Sequence, residues 1–391
     1  MVTACLYFQL HQPFRLRRYG VFDSDTAYFD DDRNRAILLR IADKCYRPAT
    51  RLMLDLVLRH GGAFRLGFSL SGCVLDQLQA HAPDVLDNFR ALAATGCVEF
   101  LAETDAHSLA FLYSRAEFRE QVELHARRIE SLLGRRPTVF RNTELIYSNQ
   151  LADEVLAMGG FIGSLTEGVD RILDRRSPNH AYRSPGSPSL PLLLKNYRLS
   201  DDIAFRFSNH QWPHFPLTAE KFASWVKAID GQGEVCGLFM DFETLGEHQW
   251  AETGIFAFFD RLPAAMLETG RIDFATPGEC LARLKPVDTY DVPHMISWAD
   301  TERDLSAWLG NAMQSGAHHE LYRLEAAVKA RGDEALLRDW RRLTSSDHFY
   351  YMCTKYYADG DVHKYFNPYA SPYDAYINFM NVLDGVRSRA T

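Results

Sequence analysis

Residues 235–250 read VCGLFMDFETLGEHQW, and this stretch carries fold and chemistry together. The first half, Val235 to Met240, is a continuous apolar run of one strand's length. Such a run belongs to a parallel sheet covered on both faces. The second half turns abruptly to Asp241, Glu243, Glu247, His248 and Trp250. Working outward, the same apolar, β-rich run recurs at 4–10, 64–70, 98–102, 138–141, 161–165, 192–197 and 272–276. Helical patterns lie between. The clearest spans 115–133, where Ser114 and Glu117 read as a capping box and Gly134 as the stop. Strand and helix alternating through about residue 285 predict an α/β fold with a parallel sheet. Seven or eight repeats favour a closed barrel over an open sheet.

Two stretches interrupt the alternation. Residues 171–191 hold Pro178, Pro185, Pro188 and Pro191 with several serines, and read as one long loop. Residues 285–293, with Pro286 and Pro293, read as a boundary. Beyond it the pattern is helical at 301–315, 318–331, 334–345 and 372–387. The expected division is therefore 1–290, a barrel, and 291–391, a helical domain.

Composition narrows the partners. The 43 basic and 51 acidic residues leave a net charge of −8, which argues against nucleic acid or an anionic membrane surface. No apolar run has the roughly 18 residues a membrane helix needs. No basic segment followed by an apolar stretch opens the chain, so a cytoplasmic protein is expected. Seven scattered cysteines without a CxxC form no disulfide or zinc framework. Aromatics reach 13%, enough for a large aromatic core plus a minority that stacks on flat ligands such as sugar rings. Oligomeric state is not legible.

In parallel barrels the active site lies at the C-terminal ends of the strands. The polar residues that follow the apolar runs are His11; Glu103, Asp105 and His107; Asn142 and Glu144; Asp201 and Asp202; and Asp241, Glu243, Glu247, His248 and Trp250. Glycosidic bond cleavage needs two carboxylates, one at the anomeric carbon and one protonating the leaving oxygen. Glu144 and Asp241 each follow a strand directly. The same rim also holds metal-ligand types, but with no HExxH or HxH spacing.

Seven segments, in order, resemble glycoside hydrolase family 57: FQLHQP near the N-terminus, ETDAHSLAFLYS, FRNTELIY around Glu144, NYRLSDDIAFRFS, MDFETLGEHQW, SWADTERDLSAWLGNAMQ and SSDHFYYMCTK. The last two resemble its α-amylase-like branch. The resemblance implies an irregular (β/α)7 barrel followed by a C-terminal helical domain that closes over the site. It implies that Glu144 is the nucleophile, that Asp241 is the general acid/base and that His11 lines the subsite of the cleaved sugar. It also implies chemistry that needs no metal or other cofactor. In many relatives the segment after the aspartate ends in Phe-Gly-His-Trp. Here Leu-Gly-Glu-His-Gln-Trp departs from that spacing, leaving the roles of Glu247 and His248 open.

The expected function is retaining hydrolysis of α-1,4-glucans, with an α-glucan or maltooligosaccharide as substrate. The alternatives are a 4-α-glucanotransferase or branching enzyme on the same scaffold, a metal-dependent carbohydrate deacetylase, and a non-catalytic glucan-binding homologue. Glu103, His107, Asp202 and His248 are expected to contact sugar hydroxyls, and Arg141 with Asn142 to orient the nucleophile. Trp250, Trp298 and Trp308 are expected to stack on sugar faces, with a core role equally open for Trp298 or Trp308. Tyr350, Tyr351, Tyr356 and Tyr357 read as packing.

Overall fold

The computed structural model describes residues 1–355 and 367–391. Nine strands form one sheet: β1 (Val2–Leu10), β2 (Leu66–Leu70), β3 (Val98–Phe100), β4 (Val139–Arg141), β5 (Gly163–Glu167), β6 (Ala181–Arg183), β7 (Pro191–Lys195), β8 (Val235–Asp241) and β9 (Ile272–Phe274). Seven follow one another in the order β3-β2-β1-β8-β7-β5-β4, every pair parallel. A parallel bridge from Ala102 to Phe140 links the two ends, with backbone bonds of 2.9 and 2.8 Å. This is the irregular seven-stranded barrel. The eighth apolar run, β9, pairs with Val2–Ala4, alongside the stretch of β1 that precedes its pairing with β2.

Alternation along the strands explains where charge goes. Cys5, Tyr7, Val139, Leu165, Leu193, Val235 and Phe239 share one buried cluster, the barrel interior. Their odd-even neighbours Ala4, Leu6, Phe8, Cys236, Leu238 and Met240 pack outward against helices. Two residues beyond the last interior apolar side chain, on the same face, come Gln9, Arg141, Glu167, Lys195 and Asp241. The barrel is thus apolar below and charged at its C-terminal rim.

Three sequence expectations change. Residues 171–191 are not one loop: they contain β6, which forms an antiparallel hairpin with β7 by pairing Arg183 with Pro191. The helix expected at 301–315 is broken into Ser306–Leu309 and a second helix, Ala312–Arg323, which Asn311 and Gln314 start with a capping box. The helical layer is not purely C-terminal either. Phe14, Leu16, Tyr19, Tyr28 and Phe29, from the segment after β1, share its core with Trp308, Trp340 and Phe379. Tyr351 belongs to that core, while Tyr356 and Tyr357 lie outside the described residues. No described helix is long and apolar enough to cross a membrane.

The β7–β8 pairing is a single register pair between Lys195 and Gly237. A Cβ on Gly237 would stand 2.3 Å from the carbonyl oxygen of Leu194. Gly237→Ala is expected to destabilise the fold by about 1–3 kcal/mol, measured by denaturant unfolding; wild-type stability would mean that the strands are not this close.

Candidate active site

Four strand ends deliver the central cluster. Ser71 and His11 follow β2 and β1, Glu103 and His107 follow β3, and Glu144 follows β4. Glu144 sits in the 3-10 turn Thr143–Leu145 with φ 58°, a left-handed conformation uncommon for a residue with a side chain. Asn142 helps hold that turn, its Nδ2 donating to the Ile146 carbonyl at 3.1 Å.

His107 links two carboxylates. Its Nδ1 lies 2.9 Å from Glu103 Oε2, and its Nε2 lies 3.4 Å from Glu144 Oε1. Burial alone would lower its pKa, yet hydrogen bonds and charge from Glu103 and Glu144 push it up to about 9. His107 is therefore an imidazolium at neutral pH. Burial likewise works against Glu103 and Glu144, but His107 holds Glu103 down to about 2 and keeps Glu144 below the usual carboxylate range, helped by Arg141 and Trp298. His11 stacks on His107 with centroids 3.9 Å apart and bonds Ser71 Oγ and Asp347 Oδ2, each at 2.7 Å. Burial and the charge of His107 lower its pKa.

Asp241 is treated oppositely. Register places it beside Gln9 at the end of β8. Burial and the charge of Glu144 raise its pKa to about 6. Glu243, two residues on, is raised to about 8 by burial and by Asp241. The Tyr46 hydroxyl donates to Glu243 Oε1 from a π-helical turn, Ala42–Tyr46. One carboxyl is thus held ionised while the proton affinity of another is raised across the same site, the division that nucleophile and general acid require.

The remaining expected residues scatter in role. Arg141 is fully buried, and its guanidinium has no hydrogen-bond partner among the described residues; it lies 4.8 Å from the Trp298 ring centroid and acts on Glu144 through charge, not through the hydrogen bond expected of it. Trp298 donates its indole N–H to Glu144 Oε2 at 2.8 Å. Asp202, in the helix Tyr197–Ala204, pairs at 2.6 Å with Arg206 just beyond its end. Burial takes His248 down to about 4, and Glu247 pairs with Arg40 and Lys44. Trp250 is 59% exposed, with the Lys44 ammonium 5.7 Å from its ring. Trp308 is 1% exposed in the helical core, near Tyr350, and is a packing residue.

Sequence reasoning missed Ser346, Asp347 and the environment of Glu243. Ser345 before the helix Ser346–Tyr350, and Ser346 and Asp347 in its first turn, look like ordinary helix-start residues. Their only signal was the quoted SSDHFYYMCTK segment, whose polar residues were not singled out.

The sequence profile of Glycosyl hydrolase family 57 matches residues 5–293. The chain is 39% identical over 390 residues to a Methanocaldococcus jannaschii protein whose name carries a provisional alpha-amylase assignment, covering 96% of this chain and 82% of that one. By structure it resembles a GH57-type branching enzyme of Pyrococcus horikoshii, with TM-score 0.72, 14% identity and coverage of 98% and 88%. It also resembles a 4-alpha-glucanotransferase of Thermococcus litoralis, with TM-score 0.69, 14% identity and 89% of this chain covered. The chain spans just 56% of that enzyme. These two likenesses speak to fold alone.

An NMR titration tests the charge arrangement. The His107 imidazole is expected to titrate near pH 9 in the native protein and clearly lower in Glu103→Gln, which removes one of its two carboxylate partners. A midpoint at the ordinary histidine value in the native protein would refute the imidazolium.

Proposed function

Because the chain belongs to glycosyl hydrolase family 57, we propose that it is a retaining hydrolase of α-1,4-glucans in which Glu144 is the nucleophile and Asp241 the general acid/base. The observation that carries this reading is the opposite shift of the two carboxyls: Glu144 is kept below the usual carboxylate range beside His107, and Asp241 is raised to about 6.

In the first step a Glu144 oxygen bonds to the anomeric carbon as the glycosidic C–O bond breaks. The proton of Asp241 passes to the leaving oxygen. Once Glu144 is esterified its negative charge is gone, which lowers the proton affinity of Asp241 and suits it to act as base. Asp241 then takes a proton from water, the water oxygen bonds the anomeric carbon, and Glu144 leaves as carboxylate. Two inversions give net retention.

Substrate contacts follow from the same reading. His11, with His107 beneath it, serves the cleaved sugar, and the exposed indole of Trp250 offers a stacking face. Residues 1–290 act as the catalytic barrel and 291–391 as a helical domain over its rim. The latter assignment is supported by Trp298, Ser346 and Asp347, all beyond residue 291, which touch Glu144 or His11.

Glu144→Gln and Asp241→Asn are each expected to lower turnover of maltooligosaccharides by about 1,000-fold or more without loss of fold. Near-native activity in either would refute the assignment. The native products are expected to be shorter chains only; chains longer than the substrate would instead identify a transferase.

The pH dependence follows from the same two groups. Asp241 must be protonated, so kcat/KM is expected to fall as pH rises through about 6. Glu144 must be ionised, so kcat/KM is also expected to fall as pH drops below the ordinary glutamate range. A profile flat from pH 5 to 8 would exclude Asp241 as the acid.

A further inference from the structure

Both oxygens of Glu144 are held from outside the strands. Trp298 Nε1 donates to Oε2 at 2.8 Å, and Ser346 Oγ donates to Oε1 at 2.9 Å. The same residues grip the backbone around the site. Trp298 N–H donates to the Glu144 carbonyl at 3.2 Å, and Ser346 N–H donates to the His107 carbonyl at 2.9 Å. Neither donor floats. The Arg303 guanidinium donates to the Trp298 carbonyl and pairs with Asp201 at 3.2 Å and Glu167 at 3.7 Å. The indole ring lies 4.8 Å from the Arg141 guanidinium and 5.4 Å from the Lys195 ammonium. Ser346 is fully buried. A carboxylate on a left-handed residue in a three-residue turn has little local structure to fix its direction, so these outside bonds fix it together with His107.

We propose that Trp298 and Ser346 are positioning residues for the nucleophile, each holding one oxygen of Glu144 so that a remaining lone pair is aimed at the anomeric carbon. The inference rests on Glu144 being the nucleophile. It gives Trp298 a role through its N–H, distinct from stacking on a sugar. The two bonds act again when Glu144 departs as a carboxylate, because a hydrogen bond to a charged oxygen is stronger than one to an ester. An oriented attack loses rate steeply with displacement, so removing either donor costs turnover.

The test uses the full chain with Trp298→Phe, Ser346→Ala, Ser346→Thr and Glu144→Gln, assayed on maltooligosaccharides with unfolding curves for each. Trp298→Phe keeps an aromatic ring and removes the N–H. Both Trp298→Phe and Ser346→Ala are expected to lower kcat about tenfold or more with no rise in KM. Ser346→Thr, which keeps the hydroxyl, is expected to recover most of the rate. A second readout separates positioning from folding. The groups whose charge acts on Glu144, His107 and Arg141 from the barrel and Asp241 across the site, stay in place in these variants. Loss of a donor to its ionised form must then move the acid limb of kcat/KM to higher pH. If both variants keep wild-type kcat and acid limb while Glu144→Gln is inactive, the positioning role falls and the nucleophile stands. The positioning role falls equally if rate is lost with the limb unmoved and no recovery in Ser346→Thr. Should Glu144→Gln remain active, the nucleophile assignment falls and takes this inference with it.

Discussion

A buried imidazolium shared by two carboxylates is the interaction on which the site depends. Glu103 is fully buried and Glu144 largely so, and burial pushes both toward the neutral form. His107 lies within 2.9 Å of one and 3.4 Å of the other, and the fully buried Arg141 adds a second positive charge. Two cations thus stand against two carboxylates, and both carboxylates stay ionised. Asp241 is a third acid that faces this balance from β8. It meets desolvation and the charge of Glu144 with less compensation, so its proton affinity is raised. The division between nucleophile and acid therefore follows from where the positive charges sit: His107 lies against Glu103 and Glu144, whereas Arg141, Lys195 and His107 offset the raised proton affinity of Asp241 only in part. His107 bears part of the cost, since burial opposes its own charge.

Barrel geometry makes that balance possible. Parallel strands end on one side, and alternation sends every second residue inward. Tyr7 then Gln9, Val139 then Arg141, Leu165 then Glu167, Leu193 then Lys195, and Phe239 then Asp241 each step from apolar interior to polar rim. The rim alone would leave Glu144 loosely aimed. The segment from Trp298 to Asp347 closes it from above: Trp298 and Ser346 bond Glu144, while Asp347 bonds His11. Lys195, Glu167, Asp201 and Arg303 form a second charge cluster that ties β5 and β7 to the Trp298 loop.

The strands were legible because a doubly covered parallel strand must be apolar throughout, and the residue after it must then be the first polar one. That rule reached Glu144 and Asp241 with no knowledge of contacts. It could not reach β6, whose three residues sit among prolines and serines and are specified only by the hairpin with β7. Nor could it separate Trp298 from Trp308. Both lie among acids at the start of the helical part, yet one bonds Glu144 while the other packs under helices. Ser346 and Asp347 were hidden for a related reason. A hydroxyl or carboxylate at the start of a helix serves local backbone donors or the helix dipole often enough that its long-range partner cannot be inferred from sequence. The partners lie 202 and 336 residues away.

The aromatic excess joins packing to chemistry. Phe242 stands between Asp241 and Glu243 and turns the opposite way, into the outer core. There its ring lies 5.2 Å from both Phe8 and Phe68 and stacks on Tyr46. This aromatic layer backs the turn that carries Glu243, and burial is the leading cause of the raised proton affinity in both Asp241 and Glu243. The Tyr46 ring contributes to the layer while its hydroxyl meets Glu243, so one side chain serves both core and site. Replacing the layer by smaller residues would do more than open a cavity. It would also free the Tyr46 hydroxyl that meets Glu243, beside Asp241. The same burial that stabilises the fold thus also keeps Asp241 an acid.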